Sequence, residues 1–213
     1  LYFTADSAFR ESDKPMVAYL AGPQVAGLYT AAIRIIHAAA LRLGAMTATF
    51  YALFFKHGHN GIEHSFKFAL KVLPLTLGYA VFAGGAVIFG ADYLPLILGP
   101  KFQAAVPVTT WLAFLPLFNG LSAVGGDILT TAGKQRTRAT VISALSLSPA
   151  LLSALLVPRF GALGAAYAAL GNGVLVAATI WFLVFRARRQ AARDTAIAPP
   201  PETAPQPEMR LAA

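Results

Sequence analysis

The chain contains no cysteine, which excludes disulfides, thiolate catalysis and cysteine-ligated metal and leaves the redox compartment unmarked. Charge is also scarce: Asp, Glu, Lys and Arg supply 12% of the 213 residues, against roughly 25% in soluble domains. What charge there is leans positive, with 17 Lys and Arg against 9 Asp and Glu. Nucleic acid is not the expected partner, because the basic residues stand at the ends of apolar blocks rather than on a stripe with stacking aromatics. The opening residues, LYFTADS, have neither an initiator methionine nor the basic, apolar and small-residue regions of a signal peptide, so the N-terminus reads as truncated.

Hydrocarbon is what the chain has in excess. Apolar residues make up 57% and mean hydropathy is +0.62, and they fall in blocks near the roughly 20 residues that an α-helix needs to cross a bilayer. Runs bounded by Gly, Pro and charge predict an all-α, polytopic transmembrane bundle of about six spans, at 1–21, 24–55, 66–89, 104–131, 136–157 and 163–185. Residues 1–186 form the membrane lobe in this reading. Residues 187–213, basic and then Pro-rich (PPPETAPQP), form a disordered tail, since such a composition builds no core.

Positive residues are retained on the cytoplasmic side of a membrane, and their distribution tests the span count. One set of alternate loops carries Lys56, Lys67 and Lys71, then Lys134, Arg136 and Arg138, then Arg186, Arg188, Arg189 and Arg193. The opposite loops carry Lys101 and Arg159. Six spans with a cytoplasmic C-terminus follow.

Two helices show small residues at four-residue spacing, the pattern that lets helices approach closely in lipid: Ala40, Gly44, Ala48 and Ala52, and Ala165, Ala169, Gly173 and Ala177. In a chain this rich in alanine, chance gives the same spacing. Pro74, Pro116 and Pro149 lie inside predicted helices, where each removes a backbone hydrogen bond and kinks the axis, either structurally or as a transporter hinge.

Ionisable groups that hydropathy places in the bilayer cost about 2.5–3.5 kcal/mol each at a helix centre, so they mark function or pairing. They are Arg10, Glu11, Asp13 and Lys14 in the first span, Arg34, His37 and Arg42 in the second, and Asp127 in the fourth. Counting inward from Gly22-Pro23 at about 1.5 Å per residue, Lys14 and Arg34 share a depth of about 12 Å, and Arg10 and His37 one of about 17–18 Å. Stacked positive charge of this kind calls for an anion or water. Lys14, Arg34, Arg10 and, more weakly, Arg42 are therefore the candidates for binding an anionic headgroup. Self-pairing of Arg10 with Asp13 and of Glu11 with Lys14 at a spacing of three is the alternative. Another is that RESDK lies outside the membrane and Gly22-Pro23 is a mid-helix kink. Asp127 is a candidate cation or proton site, with Asp13 a second, or else half of a helix-packing pair with Lys or Arg. Asn119 and Asn172 either line a cavity or bond between helices.

Several patterns carry nothing. TTAGKQR lacks the glycine spacing and the Ser/Thr of a phosphate-binding loop. His57, His59, His64 and Glu63 form a possible metal cluster, but HGH is no established ligand motif and the segment is a loop, and no catalytic constellation survives the topology, so neither cofactor, metal nor enzymatic activity is expected.

The string SDKPMVAYLAGPQVAGLYTAAIRI, through Asp13, Lys14, Leu20, Gly22, Ala26, Gly27, Tyr29, Ala31, Ala32 and Arg34, resembles the opening of the second six-helix lobe in polysaccharide flippases of the multidrug/oligosaccharidyl-lipid/polysaccharide exporter superfamily. FGADYLPLILGPKF, LTTAGKQRTRATVISAL and LVPRFGALGAAYAAL are similar to later segments of that lobe, so the likeness runs from Asp13 to Phe185. Ala26 departs from it, standing where valine or isoleucine is usual.

The resemblance implies a lobe that works with an N-terminal partner lobe in a bacterial inner membrane. The pair would move an undecaprenyl-diphosphate-linked oligosaccharide, the repeat unit of a lipopolysaccharide or exopolysaccharide, from the cytoplasmic to the periplasmic leaflet. Guanidinium groups suit a diphosphate because they bind its oxygens bidentately. Two other readings remain: a cation-coupled antiporter of the same superfamily, or a non-transporting scaffold of a polysaccharide-synthesis complex.

Overall fold

A computed structural model of the chain describes residues 13–58 and 61–197, and among them every regular element is helical. In order these are α1 (Asp13–Gly58), α2 (Ile62–Ala91), α3 (Leu94–Leu98), a 3-10 turn (Pro100–Phe102), α4 (Ala105–Leu112), α5 (Leu115–Thr131), α6 (Gln135–Leu145), α7 (Ser148–Phe160) and α8 (Ala162–Ile197).

Helix α1 is broken at Gly22, whose φ of 84° and ψ of 168° only glycine adopts without strain. Pro23 follows, with the fixed φ that opens a helix well. The chain reverses here. The Tyr29 hydroxyl donates to the Asp13 carboxylate across sixteen positions, which a straight helix would hold about 24 Å apart. The short arm (13–21) thus lies antiparallel to the long arm (23–58), and Gly22-Pro23 is the end of one helix rather than a kink within one.

Counting the two arms separately, and α4 with α5 and α6 with α7 as single rods, the described residues form six rods. Five segments are long and apolar enough to cross a membrane: Asp13–Phe55, Ile62–Ala91, Ala105–Thr131, Gln135–Phe160 and Ala162–Arg193. The expected all-α bundle forms, while residues 1–12 of the first predicted span lie outside the described residues.

The prolines differ in effect. Pro116 and Pro149 stand at the second positions of α5 and α7, so two spans are interrupted just before these helices, whereas α2 runs through Pro74 unbroken. At the second break the Ser148 hydroxyl lies 2.7 Å from the Leu145 carbonyl, the acceptor that Pro149 has no N–H to reach.

Packing follows small residues on α8 but not on α1. Ala165, Gly173 and Ala177 are buried, and a methyl added to Gly173 would stand 3.2 Å from Phe118 Cβ and 3.3 Å from Leu115 Cδ1. Along α1 the equivalent stripe stays open: Gly44, Ala48 and Ala52 are exposed, and nothing lies within 4 Å of a Cβ built on Gly44.

Two apolar clusters hold the bundle, one at each end. Val17, Tyr29, Ala32, Ile33 and Ile36 of α1 pack with Val108, Leu112, Val157 and Ala165 near the Gly22 turn. At the other end Phe54, Ile62, Phe66, Val124, Ile128, Leu129 and Ile180 pack together.

The second end is where the three basic loops meet. Arg188 makes a bidentate pair with Glu63 at 2.9 and 3.0 Å, and Lys134 Nζ donates to Gln190 Oε1 at 3.0 Å. Residues 187–197 of the expected tail are helical, and residues 198–213 lie outside the described residues. Helix α8 continues to Ile197 instead of ending at 185, because ARRQAAR is rich in strong helix formers and Ala187 is buried in the apolar cluster beside the Arg188–Glu63 pair.

Candidate functional site

Beside the first cluster a cavity of about 400 Å³ opens, with a polar wall. Asp13 and Lys14 come from the short arm, Tyr29, Ile33 and His37 from the long arm, Asn119 from α5, Pro149 from α7, and Asn172 and Gly173 from α8. Local sequence explains how each arrives. Tyr29, Ile33 and His37 recur at four-residue spacing and so share one flank of the long arm. The break before Pro116 sets the start of α5, which carries Asn119. Gly173 lets α8 approach α5 closely enough for Asn172 to reach the same space.

The cavity is pre-organised by its own hydrogen bonds. Asp13 accepts from the buried Tyr29 hydroxyl, which fixes the carboxylate against the long arm. The Ser148 hydroxyl lies within hydrogen-bond distance of both the Leu145 carbonyl and Asn172 Oδ1, tying the hinge of α7 to α8. Asn172 thus combines the two roles open to it in the sequence, lining the cavity and bonding between helices. Asn119 lines the cavity.

The predicted cationic wall is divided. Lys14 lines the cavity, but Arg34 and Arg42 lie on the exposed face of the long arm and are not among its lining residues. Helical phase is the reason. Tyr29, Ala32, Ile33 and Ile36 take the buried face, and Arg34, five residues beyond Tyr29, falls about 140° around the helix. Equal depth along the helices therefore did not mean a shared site. Arg10 lies outside the described residues.

Asp127 does not line this cavity. It sits at the basic end of α5, 8% exposed in its side chain, with Arg138 Nη1 3.5 Å from Oδ1. The same guanidinium nitrogen donates to Thr130 Oγ1 at 2.8 Å. Gly126 makes room for this, because a methyl there would meet Arg138 Nε at 2.8 Å. The arrangement is the helix-packing pair, joining α5 to α6. Helix α6 has no buried residue, so this pair is a main tie at its basic end.

Sequence reasoning missed the Asp13–Tyr29 bond and the Arg138 partner of Asp127. Both depend on a chain reversal. The signals were present, as Gly22-Pro23 between Asp13 and Tyr29 and as Ala132-Gly133-Lys134 between Asp127 and Arg138. Among the described residues no three His, Asp or Glu side chains converge on a metal-binding point.

Comparison with known proteins returns no matching family model, no matching curated protein and no matching solved structure.

Proposed function

We propose that this chain is one lobe of a bacterial inner-membrane transporter that moves an undecaprenyl-diphosphate-linked oligosaccharide from the cytoplasmic to the periplasmic leaflet. The observation that carries the reading is the exposure of Arg34 and Arg42 in the middle of TAAIRIIHAAALRLGAM. Guanidinium groups facing lipid there cost about 2.5–3.5 kcal/mol each, and among the described residues neither lines the lobe's own cavity. A water-filled cleft against a second lobe, on the same or another polypeptide, satisfies them, and an anionic diphosphate passing along the cleft would be their ligand. The unused stripe Gly44, Ala48 and Ala52 on the same long arm supplies the small side chains for close contact at the edge of that cleft.

The polar cavity behind the long arm would serve the transport cycle from within the lobe. Lys14 offers positive charge, while Asp13, held by Tyr29, is the candidate for ion coupling. The three basic clusters gathered at one end support a cytoplasmic placing of that end, and with it of the C-terminus. A drug-exporting cavity would favour acidic and aromatic groups for cationic cargo, whereas Arg34 and Arg42 give the exposed face of the long arm positive charge.

Complementation of a flippase-deficient strain by the full-length gene tests the proposal. Arg34→Ala with Arg42→Ala is expected to abolish surface polysaccharide at normal membrane abundance, and Arg34→Lys to restore part of it. Undiminished polysaccharide from the double variant would sink the reading.

A further inference from the structure

A second cavity, of about 420 Å³, lies on the outer face of the bundle toward its basic end. Helices α2 and α8 both pack on α5 and scarcely touch each other, which leaves a groove floored by Phe118 and Leu121 and walled by Leu73, Val174, Ala178 and Trp181. Its one polar group is turned away: Trp181 Nε1 donates to the Leu121 carbonyl at 3.1 Å, so the indole presents hydrocarbon. From Trp181 to Val174 the groove covers about 10 Å of depth, inside the roughly 15 Å that one leaflet contributes to the hydrocarbon layer.

Toward the basic end the groove meets a ring cluster. The Phe66 ring centroid is 6.4 Å from that of Trp181 and 6.2 Å from that of Phe185, and the Arg188 guanidinium carbon lies 3.7 Å over Phe66. Beyond the rings the two walls are basic. Arg189, about 80° around α8 from Trp181, and Lys67, next to Phe66 on α2, are exposed here, whereas Lys71 and Arg186 lie on outer faces, and Glu63, the one acid in residues 62–71 and 186–193, is already held by Arg188. A hydrocarbon slot within one leaflet that ends at surplus positive charge fits one class of occupant.

We propose that this groove binds an anionic phospholipid of the leaflet at the basic end, with one acyl chain against Trp181, Phe118 and Val174 and its phosphate drawn to the cations that crown α2 and α8. Basic pockets between spans commonly hold such headgroups. The aromatic rings fix the chain's entry point, and the cations select the headgroup. This site is separate from the polar cavity and stands whether or not the chain transports anything.

The two tryptophans, Trp111 and Trp181, make the proposal measurable. In vesicles, a Trp111→Phe chain leaves Trp181 as the sole indole, and quenching by phospholipids brominated on their chains reports occupancy of the groove. Brominated phosphatidylglycerol is expected to outcompete brominated phosphatidylcholine by about fivefold or more at Trp181. The preference should vanish in the Lys67→Gln, Arg189→Gln variant, and quenching by either lipid should fall in Ala178→Phe, which fills the slot. Trp111, read in a Trp181→Phe chain, should show no preference. Helicity by circular dichroism identifies any variant that fails to fold, and single-site Arg189→Gln then replaces the double one. Equal quenching by the two lipids, a preference that survives loss of the cations, or quenching indifferent to Ala178→Phe would each overturn the proposal.

Discussion

Replacing Arg138 by Gln should cost more than replacing Asp127 by Asn, although the two residues form one pair. At 3.5 Å and an effective dielectric of about 20, their attraction is about 5 kcal/mol before solvent and entropy are counted. The Arg138 side chain is 28% exposed, so water screens part of this, while the Asp127 side chain is 8% exposed. Arg138→Gln strands a buried carboxylate, and a loss of about 3 kcal/mol is expected, at the low end for a broken buried pair. Asp127→Asn leaves Arg138 with its Thr130 bond and access to solvent, for a loss of about 1 kcal/mol. The double variant should lie roughly 2 kcal/mol below the sum of the singles. Reversible unfolding in mixed detergent micelles measures all three. A second readout is local, because the native chain has no cysteine: maleimide labelling of Ala139→Cys on α6 should accelerate several-fold in Arg138→Gln as that helix comes away from α5. Equal and additive losses would refute the reasoning and make the contact a screened surface pair.

Gly22→Ala should destabilise the fold by about 1–3 kcal/mol through backbone strain alone, since nothing lies within 4 Å of the added methyl, whereas Gly27→Ala, equally open but helical, should be neutral or slightly stabilising. The same micelle unfolding assay separates them. Gly164→Ala should be more damaging than either, because its methyl would collide with the Leu156 carbonyl where α7 turns into α8, and neither backbone can move without opening the Gly161 corner; loss of the folded species on size-exclusion chromatography in detergent is the check.

The helices were written in the sequence because their cause is local: apolar blocks of membrane length between Gly, Pro and charge give helices in any surroundings that lack water. Gly22-Pro23 announced the hairpin, and the three basic loops announced that they would share one end of the bundle. Their pairing there, Arg188 with Glu63 and Lys134 with Gln190, needed the packed structure. So did the extent of α8. The charge of residues 187–197 gives them the composition of a solvated tail, yet their helix formers and the buried Ala187 carry the helix to Ile197.

The candidate site was less legible. Counting depth along two antiparallel helices put Lys14 and Arg34 at one level, and depth is a one-dimensional quantity that a sequence supplies. Which side of the helix faces the bundle is set by which residues the other rods bury. Once Tyr29, Ala32, Ile33 and Ile36 are packed against α4, α7 and α8, Arg34 and Arg42 have no choice but the opposite face. The sequence by itself determined an α-helical membrane bundle and the inventory of charges within it. Only the tertiary structure decided that Asp13 meets Tyr29, that Asp127 meets Arg138, and that the cations divide between an inner cavity and an outer face. Each of those outcomes depends on the angle at which one rod packs on another, and no local preference encodes that angle.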